Sequence, residues 1–435
     1  MKKILLLGAG RSSVYLIDYL LENGINKWEL TVADVSEEAS LKKIGNRRNG
    51  SALVLDVNNS DALHLAVGNS DIVISLLPPS LHILVAKACL YLGKHLVTAS
   101  YVSSEIKALD QEAKDKGLIF LNECGLDPGI DHMSAMKVID AIKKEGGIIT
   151  EFKSYCGGLV ARQAIDNPFG YKFSWNPKNV VLAGQATATY LKHGMPKFIP
   201  YQRIFSDTEI VEIPGGEKFD AYANRDSISY IQTYSIPEVK TMLRGTLRYP
   251  GFCKLWNFFV QSGLTDVNFF PNKNISTYRE LIESLRPTNG QFLDCLSSSE
   301  NQELESLIAT TGLWENKELL PAGGNVAEML QYLLEKSWVM NPGDTDRVVM
   351  QHVFGFSVHG NHKTLLSTLD ITGQDSFHTA MAKTVGLPLA MATKLILEDE
   401  IKTRGVCIPI SEDFYQPILK ELEGYGVQFK ETSLQ

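Results

Sequence analysis

The chain has 435 residues, 44% of them hydrophobic and 21% charged, with a formal net charge of −8. That length holds two or three domains with a large core, and an acidic balance with a pI near 5.7 excludes the clustered Lys and Arg on which non-specific nucleic-acid binding runs. Six cysteines without a C-x-x-C pair indicate neither a zinc ribbon nor a disulfide scaffold, and the apolar run after Met1 breaks at Gly8 before a signal sequence develops. With no run of 18 uninterrupted apolar residues, the expectation is a soluble, cytoplasmic protein without nucleic-acid or membrane partners.

The first third of the chain alternates short apolar strands with amphipathic segments. Strands are expected at Ile4–Leu7, Leu30–Ala33, Ala52–Leu55, Ile72–Leu77, Leu96–Ala99 and Ile119–Leu121, with helices such as Val14 to Leu21 and Ile83 to Leu92 between them. Strands apolar throughout and separated by helices build a parallel sheet buried on both faces. The first turn, Gly8-Ala9-Gly10-Arg11-Ser12-Ser13, follows G-x-G-x-x-G/A with serine in the third slot. Its first glycine makes the tight turn, its second admits a pyrophosphate against the backbone, and its third position must be small for helix–strand packing. The helix starting near Arg11 would aim its free N–H groups and positive dipole end at phosphates. Taken alone the motif is only a tight turn; its position and the strands that follow make it a nucleotide site.

Asp34 ends the second strand, 24 residues after Gly10, near the spacing at which an acid binds the ribose hydroxyls of NAD. No arginine follows, and the next basic residues are Lys42 and Lys43. NAD is therefore expected, with NADP as the alternative. The plainer role for Asp34 is in a helix cap with Ser36.

Just past the sixth strand runs Asn122-Glu123-Cys124-Gly125-Leu126-Asp127-Pro128-Gly129-Ile130-Asp131-His132. Ligands of open α/β sheets lie outside the carboxyl ends of the strands, so this loop is expected in an active site. After residue 145 the texture changes: Phe152 to Tyr155 reads as a strand entering Gly157-Gly158, residues 251–340 are mostly helical, and Val348–His359 and Thr364–Thr372 alternate as strands around Gly360-Asn361. Ala380 to Glu398 is again helical. His359-x-x-His362 flanks the hairpin turn, but no third ligand is near and no metal is expected.

Gly125 to His132, Ser154-Tyr155-Cys156-Gly157-Gly158-Leu159, Gly170 to Trp175, Asn224-Arg225-Asp226-Ser227 and Arg244-Gly245-Thr246-Leu247-Arg248-Tyr249 resemble, in content and order, the glutamate-forming saccharopine dehydrogenases. The likeness covers nearly the whole chain, least in residues 255–340. It implies an α/β protein: an N-terminal Rossmann dinucleotide-binding domain, and an α+β substrate and dimerisation domain with an inserted helical part. The expected boundaries are 1–125 for the first, 126–250 with 341–375 for the second and 251–340 for the insert, with the C-terminal helices of 376–435 packing back on the first. The resemblance also implies a homodimer of lysine metabolism that interconverts saccharopine with glutamate and 2-aminoadipate 6-semialdehyde. It puts the cofactor against Gly8, Gly10, Arg11, Ser12, Ser13, Val14, Asp34, Asp56, Val57, Leu77, Pro78, Ser100, Leu126, Asp127, Pro128 and Trp175. It puts the substrate against Ser100, Tyr101, Asp127, Arg225, Arg244, Gly245 and Thr246.

The chemistry asks for such residue types. Saccharopine is a secondary amine with three carboxylates, and the planar guanidinium groups of Arg225 and Arg244 suit carboxylates, although a lone arginine more often ends in a surface ion pair. Imine hydrolysis needs protons moved twice, which suits a group that both takes and gives them. Asp127 is the first candidate, Cys156 the second and Tyr101 the third. Read without the resemblance, Asp127 is as well explained as a cap for the helix from Gly129, and Cys156 as a small buried hydrophobe. His132 either orients the Asp127 loop or packs at the helix start. The chain departs from the family pattern at Leu77-Pro78-Pro79-Ser80, at Val160-Ala161-Arg162 and at Ala223. Two other readings compete: a related oxidoreductase on a carboxynorspermidine or homospermidine type of substrate, and a cofactor-binding regulatory module without catalysis. A polyamine would want acids where the chain presents Arg225 and Arg244, and a non-catalytic module would have no use for Tyr101, Asp127 and Cys156.

Overall fold

The structure, a computed structural model, describes residues 1–183, 185–272, 274–285, 302, 306–315 and 323–434. Its residues sort into two units, Met1–Gly147 with Ile371–Lys430, and Ile148–Asp370 with Glu431–Gln435.

In the first unit β1 (Lys2–Leu7), β2 (Trp28–Asp34), β3 (Gly50–Val54), β4 (Ile72–Ser75), β5 (His95–Thr98) and β6 (Ile119–Leu121) lie in the order β3-β2-β1-β4-β5-β6, all parallel. This is the doubly wound arrangement whose crossovers reverse between β1 and β4. The strands read apolar throughout because both faces are covered. Leu5, Leu7, Val73, Leu96 and Phe120 pack in one layer with Val85, Ala86 and Cys89 of the helix His82–Leu92. The intervening residues Ile4, Leu6, Ile72, Ile74 and Val97 are as deeply buried and face the opposite way.

Residues far down the chain complete this unit. Gly405–Cys407 adds a seventh parallel strand beside β6, held by the Val406 N–H donating to Asp110 Oδ1 at 2.9 Å. Its three residues are too few to show a period. The helix Ala380–Leu397 has a mean hydropathy of 1.3 and is long and apolar enough to cross a bilayer, yet 78% of it is buried within the protein. It packs against β4, β5 and the helix Val14–Asn23. Gly386 permits that approach, since a Cβ there would stand 2.9 Å from Leu16 N and 3.1 Å from Ser12 O.

The first unit extends past residue 125, where the sequence placed its end. The helix Ile130–Lys144 packs against the helix Glu412–Glu423 of the same unit, with Tyr415 Oη donating to Asp140 Oδ2 at 2.7 Å. The division therefore falls after Gly147.

The second unit is built on a mixed sheet. β7 (Ile148–Val160), β8 (Ala188–Lys192), β9 (Met195–Ile199), β10 (Thr208–Glu212), β11 (Lys218–Ala223), β12 (Thr241–Arg248), β13 (Asp346–Val358) and β14 (Asn361–Thr372) give the order β10-β11-β12-β7-β13-β14, closed at one edge by Lys430–Leu434. β7 and β12 are parallel at its centre, and β8 joins β12 and β9 off this path. His359 and Gly360, with φ of 52° and 82°, make the two-residue turn between β13 and β14, one residue earlier than the Gly360-Asn361 signal suggested. Left-handed geometry at both turn positions matches the twist of a hairpin.

The described residues of 251–340 share a core with the sheet-forming part. Phe252, Trp256 and Phe259 of one helix and Trp338 after another pack with Phe169, Tyr171 and Phe173 in a single aromatic cluster. The segment expected as an insert thus shares its core with the sheet-forming part. A prediction follows from the first unit: Gly386→Val is expected to lower unfolding stability by about 1–3 kcal/mol, as overpacking does. Urea unfolding reads the loss, and an unchanged midpoint would separate the two helices at that point.

Candidate active site

The carboxyl ends of β1, β2, β4 and β5 carry the polar groups of the first unit. After β1 the chain turns at Gly8 with φ +104°, and a Cβ there would meet Leu76 O at 3.0 Å. Gly10 differs: nothing lies within 4 Å of where its Cβ would stand. The first glycine is thus demanded by the turn itself, while the second leaves the backbone open to a ligand. Ser13, in the third slot, is buried and donates back to Gly10 O at 2.9 Å. Arg11 is exposed, Ser12 half-buried, and Val14 starts the buried face of the helix.

Asp34 does two things at the end of β2. Its Oδ2 accepts from Ala9 N at 2.7 Å and its Oδ1 from Ser36 N at 3.0 Å. Capping falls to Ser36, whose Oγ accepts from Ala39 N. Asp34 is therefore an acid held against the glycine-rich turn, in the position where a dinucleotide fold keeps its ribose ligand. Sequence reasoning overlooked its neighbour. Lys43 sends a buried ammonium to Ala9 O at 2.6 Å, to Ser13 Oγ at 2.8 Å and to Gly10 O. The signal was present, because Ser40, Lys43 and Ile44 share one face at helical spacing and all are buried. Asp56, after β3, is exposed and accepts from Asn58, which holds its carboxyl below the usual range; Val57 is buried.

Leu77 and Pro78 follow β4 and lead through a single turn of helix to His82. The His82 ring lies between Ser75 Oγ and Ser100 Oγ, at 2.8 Å and 2.7 Å, and burial pushes it down to about 4. A lone histidine after Pro-Pro gave no sign of this in the sequence. Ser100 and Tyr101 follow β5, and Tyr101 Oη stands 3.5 Å from Asp127 Oδ1. Asp127 is half-buried and joined to Pro128 by a cis peptide bond; Leu126 and Pro128 are buried around it. The helix beyond begins on Gly129 without a side-chain cap, and the Gly129 N–H goes to Asp131 Oδ1 at 2.6 Å. His132 Nε2 donates to Glu123 Oε2 at 2.9 Å, and Glu123 Oε1 accepts from Val102 N at 3.1 Å.

The remaining expected residues lie in the second unit. Arg244↔Ser154, Gly245↔Tyr155 and Thr246↔Cys156 are register partners on the central parallel strands, so Arg244, Thr246, Ser154 and Cys156 share one face of the sheet. Gly245 is needed by close approach, since a Cβ would stand 2.9 Å from Tyr155 Cδ1 and 3.0 Å from Tyr222 O. The Arg244 guanidinium is buried 4.2 Å from the centre of the Tyr230 ring. Arg225 is exposed, with φ 45°, and is tied to the same strand because Asn224 N donates to Arg244 O at 2.8 Å. Cys156 is 8% exposed. Trp175 Nε1 donates to Tyr171 Oη at 2.9 Å.

Arg248 stands four residues beyond Arg244 on the same strand, β12. Its buried guanidinium lies 5.1 Å from Tyr171, 5.2 Å from Phe252 and 5.9 Å from Tyr222. Burial opposes its charge, while the phenols of Tyr222 and Tyr171 and the thiols of Cys253 and Cys156 favour it, and the balance is upward. His359 and His362 are exposed on the hairpin, and among the described residues no group of three or more His, Cys, Asp or Glu is set to hold a metal ion.

A doubly wound sheet with an open glycine turn and an acid at the end of β2 defines a dinucleotide-binding protein. Residues 4–121 match the family described as "Saccharopine dehydrogenase NADP binding domain" and residues 125–427 that described as "Saccharopine dehydrogenase C-terminal domain". The chain is 36% identical to "Saccharopine dehydrogenase [NADP(+), L-glutamate-forming]" of Pyricularia oryzae, covering 99% of this chain and 98% of that one. It is 35% identical to the mitochondrial alpha-aminoadipic semialdehyde synthase of Bos taurus, of which it spans 48%. The solved apo structure of saccharopine dehydrogenase (L-Glu forming) from Saccharomyces cerevisiae superposes with a TM-score of 0.89 at 34% identity over the whole of both chains. The chain belongs to the saccharopine dehydrogenase family.

Lys43 gives a pH test of the dinucleotide turn. Burial pushes its ammonium down to about 8 from an ordinary 10.5, against the pull of Asp34. Between these values the unfolded chain binds more protons, so this group's contribution to stability rises with pH. A bound pyrophosphate favours the charged form. Cofactor affinity is therefore expected to fall as pH rises through about 8, and Lys43→Met to lose that step; titration of the reduced cofactor's fluorescence across pH reads both.

Proposed function

We propose that the protein is an L-glutamate-forming saccharopine dehydrogenase that converts saccharopine, water and an oxidised nicotinamide dinucleotide into glutamate, 2-aminoadipate 6-semialdehyde and the reduced cofactor, releasing a proton. The observation that carries the reading is the retained set on the central strands of the second unit: a buried Arg244 on the face of Cys156 and Thr246, in a chain related over its full length to enzymes so named. A buried guanidinium held on an aromatic ring is preorganised for a carboxylate, and saccharopine carries three. Arg225 is assigned a second carboxylate.

A bound nicotinamide dinucleotide would supply the acceptor for a hydride from the carbon beside the secondary amine, the oxidation that turns saccharopine into an imine. That carbon lies on the side that becomes the aldehyde. The chain's own work is to keep the amine neutral, to take a proton from the water that adds, and to return one to the departing nitrogen as the carbinolamine collapses. Asp127 is assigned this proton transfer, with Tyr101 beside it, and Cys156 is kept as the second candidate. Asp127→Ala is expected to lower kcat about 10²–10⁴-fold and to remove one limb of the pH profile. A full-rate variant with an unaltered profile would pass the role to Cys156 or Tyr101.

For the cofactor we infer NAD, although the family description and the fungal relatives are named for NADP. The support is Asp34, a carboxylate held at the glycine turn where the ribose binds, which a ribose phosphate would meet at short range. Reduced cofactor formed on adding saccharopine, with NAD and NADP in separate runs, tests substrate and cofactor together. NAD is expected to give the higher kcat/KM, and Asp34→Arg to move the preference toward NADP; a wild type that works better with NADP would defeat the Asp34 argument. A homodimer and a cytoplasmic location complete the proposal.

A further inference from the structure

The helix His82–Leu92 begins between the carboxyl ends of β4 and β5, and both ring nitrogens of its first residue are engaged. Ser75 Oγ, on the last residue of β4, lies 2.8 Å from His82 Nδ1, and Ser100 Oγ, just past β5, lies 2.7 Å from Nε2. Thr98 Oγ1 stands 3.5 Å from the same Nε2 and accepts from Ser100 N at 3.3 Å. His82 is 2% exposed and Ser75 0%. A neutral imidazole donates from one nitrogen and accepts at the other, so the string Ser75–His82–Ser100 runs with one polarity at a time. It ends in a buried hydroxyl rather than in water. Such a string is unsuited to carrying protons to or from solvent and well suited to fixing one hydroxyl.

We infer that His82 is a positioning residue: its imidazole sets the direction in which the Ser100 hydroxyl presents its proton and lone pairs beside Tyr101. The inference rests on the reading of Ser100 and Tyr101 as groups that meet the substrate. Two features support it besides the distances. Ser100 is anchored on its other side as well, since its carbonyl accepts from Glu123 N at 3.0 Å, which leaves the hydroxyl torsion as its free coordinate. Burial also keeps the ring uncharged through the working pH range, so the direction does not change with pH.

The test uses the whole protein with saccharopine. In His82→Gln the side-chain amide reaches about as far as Nε2 and keeps a partner for Ser100. In His82→Asn it reaches only as far as Nδ1, keeps Ser75 and leaves Ser100 alone. His82→Asn is expected to lose about 10–100-fold in kcat, the scale of a misplaced group near the chemistry, with KM for saccharopine moving little. His82→Gln is expected to stay near the wild-type rate. A full-rate Asn variant, or equal losses in both variants that track a fall in Tm, would reduce His82 to packing. These are ratios to wild type, so wild-type turnover of saccharopine judges the proposed reaction separately. The ring 15N shifts lost in His82→Gln need no substrate at all. They are expected to report one neutral tautomer from about pH 5.5 to 9, and a ring titrating near 6.5 would overturn the inference.

Discussion

A buried carboxylate holds the business end of the first unit together. Glu123 has φ 55°, a conformation a non-glycine residue keeps only when its surroundings dictate it. Its N–H goes to Ser100 O, its Oε1 takes the N–H of Val102, and its Oε2 meets His132 of the following helix. One residue therefore ties the end of β6 to the end of β5 and to the helix Ile130–Lys144. A buried carboxylate stripped of such partners costs several kcal/mol, and here each oxygen has one. The turn that carries Ser100 and Tyr101 is fixed by this pair on one side and by His82 on the other. Asp127 follows Glu123 by four residues, so it inherits the same frame.

The dinucleotide turn depends on a second buried charge. Lys43 holds the carbonyls of Ala9 and Gly10 while Asp34 holds the Ala9 N–H, so the turn is gripped from both its donors and its acceptors. A positive group there also adds to the field that a helix start offers to phosphates. In the second unit the cations rest on aromatic faces instead, Arg244 on Tyr230 and Arg248 among Tyr171, Tyr222 and Phe252. Aromatic contact attracts a guanidinium through the face of the ring, and Arg248 is also held by its Nη1 donating to Leu247 O at 3.0 Å.

The six strands of the first sheet were legible because each is a short apolar run bounded by turn residues, and the glycine turn because it opens the first crossover. The helix Ala380–Leu397 was visible from its composition, and its place beside the first unit was expected through the family resemblance; the contact that seats it, Gly386 against the backbone of Leu16 and Ser12, joins positions too far apart in sequence to be read there. The strand Gly405–Cys407 was missed because three residues carry no period. Asp127, Cys156, Arg225 and Arg244 stood out because their motifs are long. His82, Lys43 and Glu123 did not, since each acts through a buried hydrogen bond whose partner lies elsewhere in the chain. A single histidine, lysine or glutamate has no spacing to announce such a role. The grouping of residues 126–147 with the first unit was not legible for the same reason, as the Tyr415–Asp140 bond joins segments with residues 148–370 between them.

That interruption has a consequence for how the protein is made. Residues 371–430 supply the seventh strand and the core helix of the first unit, and they leave the ribosome only after residues 148–370. The nascent first unit must wait, with the sheet face later covered by Ala380–Leu397 still uncovered, while the whole of 148–370 is synthesised. Chains emerge N-terminal first, at about 5–20 residues per second, so the wait lasts on the order of ten seconds or more. During it β4, β5 and the helix Val14–Asn23 lack the helix that later packs against them, and the emerging chain is a natural client for a chaperone.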